Sequence, residues 1–144
     1  MGPTFQVTFD CADPRRLMAF WSEALGYHVP APPDGHESWD AWLAANGVPE
    51  DQWNSKGAIE DPDGVRPRIF FQRVPEPKAV KNRVHLDVNV GGGREVSSEE
   101  RVARVRADVA RLEALGATKV REAEQLGDFW IVMLDPEGNE FCLQ

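Results

Sequence analysis

Polar and apolar residues alternate strictly from Arg83 to Val90. Val84, Leu86, Val88 and Val90 fall on one side; Arg83, His85, Asp87 and Asn89 fall on the other. A period of two predicts a strand over Lys81–Val90 with one face on a core. Its polar side carries a histidine between an arginine and an aspartate, an unusual set for a face meeting only water. Phe5–Cys11 alternates in the same way, with Phe5, Val7, Phe9 and Cys11 set against Gln6, Thr8 and Asp10. The period then becomes helical: Leu17, Phe20, Trp21, Ala24 and Leu25 form one apolar stripe. Asp13 caps this helix, Pro14 suits its first position, and Gly26 ends it. Strands are predicted at Tyr27–Val29, Lys56–Glu60 and Arg68–Val74, the last two flanking the turn Asp61-Pro62-Asp63-Gly64. Pro75-Glu76-Pro77 breaks the chain and reads as a linker.

The second half repeats this plan. After the strand at Lys81–Val90 and the flexible run Gly91-Gly92-Gly93, a helix starts near Ser97, with Ser97 and Glu100 as a capping box. Its apolar stripe is Val102, Val105, Val109, Leu112 and Leu115. Glu113-Ala114-Leu115-Gly116 repeats Glu23-Ala24-Leu25-Gly26, and Asp135-Pro136-Glu137-Gly138 echoes the earlier turn. Strands follow at Thr118–Glu122, Phe129–Leu134 and Glu140–Gln144. Each half therefore reads β-α-β-β-β, and two tetrapeptides recurring in the same order argue for an internal repeat. The predicted fold is α+β: one domain over 1–144, made of two modules at about 4–76 and 81–144. Pairing the modules builds a curved, cup-shaped mixed sheet with the helices outside.

The halves differ in one place. Gly26 and Asp61 are 35 positions apart, Gly116 and Asp135 only 19. The extra residues hold Trp39, Trp42 and Trp53, three of five tryptophans. Their spacing predicts a short amphipathic helix over Ser38–Asn46, ended at Gly47. Such a helix either buries its indoles or lies as an aromatic lid over a small-molecule cavity, with Trp39 and Trp42 as walls.

Charge narrows the function classes. Sixteen Lys plus Arg against 24 Asp plus Glu give a net charge of −8, which disfavours a nucleic-acid partner. No run of eighteen apolar residues is present to span a membrane, and the first residues do not read as a secretory leader. Cys11 and Cys142 make no disulfide framework, and their strand phases place them on opposite faces, so both are expected as free thiols. A cytoplasmic globular protein is the expectation.

The Asp13-Pro14 start with Phe20-Trp21, the Ala-Leu-Gly helix ends, both Asp-Pro-Asp/Glu-Gly turns and Val74–Lys78 running into Lys81–Val88 together resemble the vicinal oxygen chelate superfamily. This is the fold of glyoxalase I, extradiol dioxygenases and bleomycin-resistance proteins, and the closest resemblance is to an actinobacterial glyoxalase-like subgroup. It implies a homodimer with a ligand cavity inside the cupped sheet. Metal-dependent members carry His, Gln or Glu at four inward positions, which map here to Gln6, Phe70, His85 and Cys142. Phe70 offers no donor, so no catalytic metal and no other cofactor is expected. A divalent ion, if one binds, would use Gln6, His85 and Cys142. The candidate cavity residues are Gln6, Thr8, Phe70, Gln72, Arg83, His85, Asp87 and Cys142, with Trp39 and Trp42. The expected function is small-molecule binding without a metal; the alternative is a metal-dependent lyase or isomerase of glyoxalase type using His85.

Overall fold

In the computed structural model, which describes residues 1–144 throughout, the chain divides into two units, Met1–Pro77 and Lys78–Gln144. The first contains β1 (Val7–Cys11), α1 (Pro14–Leu25), α2 (Trp39–Ala45), β2 (Lys56–Ile59) and β3 (Ile69–Arg73), with one 3-10 turn at Glu50–Gln52. The second contains β4 (Asp87–Val88), α3 (Ser98–Ala114), β5 (Thr118–Gln125), β6 (Asp128–Leu134) and β7 (Glu140–Leu143). The architecture is α+β, with a mixed sheet in each unit. The first sheet has the order β1-β3-β2 and the second β4-β7-β6-β5. In both, the first strand pairs parallel with the last.

Helix α1 forms where the apolar stripe and its caps predict. The Asp13 carboxylate accepts from the Arg16 N–H at 3.2 Å and from Asn54 Nδ2 at 2.8 Å. Gly26 closes the helix at φ 66°, a left-handed conformation that costs a residue without Cβ little. Leu17, Phe20, Trp21 and Ala24 are buried on this stripe. The Phe9 ring lies 5.3 Å from Trp21 and 5.4 Å from Phe71, so α1 covers the face bearing Phe9 and Phe71. In the second unit α3 buries Val105, Val109 and Leu112 beside Ile131, Met133, Phe141 and Leu143. Ser97 caps α3 through the Glu100 N–H, but the Glu100 carboxylate pairs with Arg104 one turn on and does not close the box.

Both Asp-Pro turns are organised by a buried carboxylate. Asp61 accepts from the Val65 and Arg66 N–H groups at 3.0 and 2.8 Å and from the Arg66 guanidinium at 2.6 Å. Asp135 accepts from the Glu137 and Asn139 N–H groups, each at 2.9 Å, and from the Asn139 side chain. Gly64 and Gly138 supply the positive φ that each turn needs.

Three predicted elements differ. Tyr27–Val29 is no strand but a single bridge, His28 to Glu60. Pro30, Pro32 and Pro33 follow it and lack the N–H groups a ladder needs. The strand over Lys81–Val90 is reduced to Asp87–Val88. Its register sets Asp87 against Cys142, so Arg83 would face Gly138 in the turn, where no strand exists to pair with it. Val84, expected beneath the helix, is accordingly 82% exposed. Conversely β5 runs to Gln125, because Leu126 and Gly127 both adopt positive φ and join β5 to β6 by a two-residue turn.

Ile131→Ala, which hollows the second core, should cost about 2–5 kcal/mol in urea denaturation. Val84→Ala should change stability by no more than about 0.5 kcal/mol; a comparable loss from both would contradict the burial described. The Arg66 guanidinium and N–H hold the Asp61 carboxyl well below the usual carboxylate range. A carboxyl lowered on folding contributes stability above its unfolded value and loses it as pH falls through the folded one. The denaturation midpoint should therefore fall below about pH 4, and Asp61→Asn should lower it at pH 7 while flattening that acid limb.

Candidate functional site

The parallel ladder between β4 and β7 builds the site. The Cys142 N–H donates to Leu86 O at 2.9 Å and the Gln144 N–H to Val88 O at 3.0 Å. Alternation then puts His85 and Asp87 on the same face as Cys142. His85 Nε2 lies 3.2 Å from Asp87 Oδ1. The donor atoms of His85, Asp87 and Cys142 all lie within 4.8 Å of one another. The register continues the row across the sheet: Asp87 opposes Cys142, Cys142 opposes Val132, and Val132 opposes Arg121. Trp130 and Leu134 share the face of Val132 and are half-buried. The opposite face, with Ile131, Met133, Phe141 and Leu143, is the one buried with α3.

A hollow of about 1410 Å³ is lined by Lys81, His85, Asp87, Arg121, Trp130, Val132 and Cys142 among others. Ser98, Arg101, Val102 and Val105 of α3 and Phe129, from the helix-covered face, line it too, so it extends beyond the open face of the sheet. Burial, then the charge and hydrogen bond of Asp87, push the Cys142 thiol above its ordinary range, with Lys81 and Arg121 opposing. Against the desolvation that burial imposes, the Asn82 N–H and Lys78 hold the Glu140 carboxyl below its usual range. Asp87 thus stands as hydrogen-bond partner to both His85 and Cys142. Burial, and after it Asp87, favours the thiol over the thiolate at Cys142, which argues against a Cys142–His85 nucleophile–base pair.

The other expected residues lie elsewhere. Thr8 opposes Phe70, and Gln72 opposes Asp10, one strand over, so Thr8, Phe70 and Gln72 share the face of the first sheet that α1 does not cover. Gln6 precedes β1, and its Oε1 accepts from Arg68 at 2.9 Å. The Arg68 guanidinium also lies over the Phe70 ring, 5.6 Å from its centre. Arg83 is exposed, upstream of β4, and not among the residues around the hollow. Trp39 and Trp42 meet edge to face at 5.7 Å, and Trp39 Nε1 donates to Pro30 O at 2.7 Å. Helix α2 has no buried residue and is tied to α1 by the Asp40–Arg15 ion pair. Both cysteines are free, Cys11 buried and Cys142 half-buried. Arg121, Lys81 and Trp130 were not singled out from the sequence. The signal was the alternation of β5 and β6, which acquires meaning once their register with β7 is known.

The glyoxalase-like domain family matches residues 6–144. The chain belongs to that family. Solved structures agree on the fold. A glyoxalase/bleomycin resistance protein/dioxygenase family enzyme from Burkholderia phytofirmans PsJN is 17% identical with a TM-score of 0.60, covering 96% of this chain and 94% of its own. A mutant of the fosfomycin resistance protein FosX from Listeria monocytogenes, complexed with Mn(II) and 1S,2S-dihydroxypropylphosphonic acid, is 14% identical with a TM-score of 0.62, covering 100% and 90%. FosX from Mesorhizobium loti is 11% identical with a TM-score of 0.61, covering 100% and 91%. Comparison with curated protein sequences finds no match. The fold is that of the vicinal oxygen chelate superfamily. No helix is long and apolar enough to cross a membrane.

Glyoxalase-like proteins of this fold raise the question of a metal. Of the four positions the resemblance implies, Phe70 has no donor atom, and Cys142 is a soft ligand held as a thiol. That set does not fit a hard divalent ion. His85, Asp87 and Cys142 together form a different, local set whose nitrogen, oxygen and sulfur suit a softer ion such as zinc, once the thiol gives up its proton.

Because burial, and after it Asp87, disfavours the Cys142 thiolate, alkylation of Cys142 by iodoacetamide should be slow at pH 7 and accelerate above pH 9. Asp87→Asn should speed it at pH 7; an unchanged rate would leave burial alone as the cause.

Proposed function

We propose that this protein binds a small organic molecule on the open face of its second sheet, beside His85, Asp87 and Cys142, without a catalytic metal. One observation carries the reading. A single cross-strand row sets three hydrogen-bonding side chains next to half-buried apolar residues in a hollow of about 1410 Å³, which offers orientation by polar groups and affinity by apolar contact. Phe70 at an inherited ligand position supports the metal-free form. Gln6, Thr8, Phe70 and Gln72, with Trp39 and Trp42 as an aromatic wall, are proposed as ligand-binding residues within the first unit. The reading includes two repeated modules forming one domain, supported by a family match that runs through both, and a cytoplasmic homodimer. The net charge of −8 supports the absence of a nucleic-acid partner.

A second reading has one specific observation in its favour, the local cluster of His85, Asp87 and Cys142 donors. With FosX structures holding Mn(II) among its structural neighbours, the protein would then be a metal-dependent lyase or isomerase. A bound ion would supply polarisation of a carbonyl or enediolate oxygen.

Elemental analysis separates the two. Protein purified without a histidine tag should hold well under one equivalent of divalent ion, and chelator should leave its melting temperature unchanged. A stoichiometric ion that His85→Ala removes would establish the second reading.

A further inference from the structure

The open face of the second sheet is unevenly charged. Two of the acids lining the hollow are engaged: Asp87 faces His85 at 3.2 Å, and Glu140 is held by Lys78 at 3.2 Å and by the Asn82 N–H at 2.9 Å; Glu124 and Asp128 line it as well. Glu122, on the other face of β5, is taken by Arg106 and Lys119. Three cations line the hollow with no carboxylate against them: Lys81, Arg121 and Arg101, whose guanidinium donates to Ser98 Oγ at 3.2 Å. Lys81 reaches nothing but the Asn82 carbonyl, at 3.5 Å, and Arg121 makes no ion pair or hydrogen bond. In a chain with eight more acids than bases, leaving a guanidinium unmatched beside a hollow is the less expected arrangement. Asp128 shares the face of Arg121, but its neighbour across the sheet is Gln125, at the far end of β5.

The register sets the spacing. Arg121 lies two strands from Cys142 with Val132 between, so their Cα atoms are about 10 Å apart. The strip between the two ends is apolar: Val132 with Trp130 and Leu134 along β6. Resting on the binding function proposed above, we propose that the ligand is a small organic acid. Its flat apolar body lies on Trp130, Val132 and Leu134, its carboxylate pairs with Arg121, and its opposite polar end meets His85 and Cys142. An arginine fork matches a carboxylate in two parallel hydrogen bonds, and such charge-assisted bonds are about twice as strong as neutral ones. Lys81 adds to the positive field, and the apolar strip selects a flat body over a small inorganic anion.

The test compares 2-naphthoate with 2-naphthamide, equal in shape and different in charge, by ligand-observed NMR on the full chain. The naphthoate should bind at least tenfold more tightly. Arg121→Gln should abolish the difference by weakening naphthoate far more than naphthamide, and Arg121→Lys should retain most of it. Equal binding of the two probes, or a preference for naphthoate that survives Arg121→Gln, would overturn the organic-acid assignment and leave small-molecule binding standing. Failure of both probes to bind would count against the binding reading and the assignment together.

Discussion

The candidate site depends on a very short parallel ladder. Two residues of β4 pair with β7, and the bonds from the Cys142 and Gln144 N–H groups to Leu86 and Val88 fix the register. A slip of one residue would turn His85 and Asp87 to the other face and carry Leu86 and Val88 into the hollow. That register is held from both ends. The Asp135 carboxylate closes the turn leading into β7, while the Val90 and Gly91 N–H groups both donate to Gln144 O, at 2.8 and 3.0 Å. The helix-covered side enforces it, since Phe141 and Leu143 are buried with Ile131 and Met133.

Much of this was legible in the sequence, for physical reasons. Asp13-Pro14, the stripe from Leu17 to Leu25 and Gly26 are local signals, and α1 forms between them. Ser38 and Gly47 bounded the tryptophan helix equally well, because capping depends on neighbouring residues alone. Strand extent was less legible. Alternation from Arg83 to Val90 shows that a strand is compatible with those residues, but a strand exists only where a partner offers hydrogen bonds, and β7 begins too late to pair with Arg83 or Val84. The hairpin after β5 was missed in the opposite sense, because Leu126 does not announce a positive φ.

The site was legible in part. His85, Asp87 and Cys142 were read as one polar side, and their donor atoms do come together. Arg121 was passed over because a lone arginine in a strand is ordinary; its meaning comes from a register that links it through Val132 to Cys142. Family resemblance pointed at four positions for a metal, and one of them, Phe70, carries no donor atom. What the chain has instead is a carboxylate holding a histidine and a thiol, bordered by an apolar strip and a cation. Those groups suit recognition of an organic molecule more closely than coordination of a hard ion.

The most direct measurement of the central claim is a map of amide shifts in a ¹⁵N-labelled sample titrated with a library of small organic fragments. The account predicts that hits perturb residues of one cross-strand row, Asp87, Cys142, Val132 and Arg121, together with His85 and Trp130. Hits concentrated away from the second sheet, or none that touch the amides of β6 and β7, would contradict it.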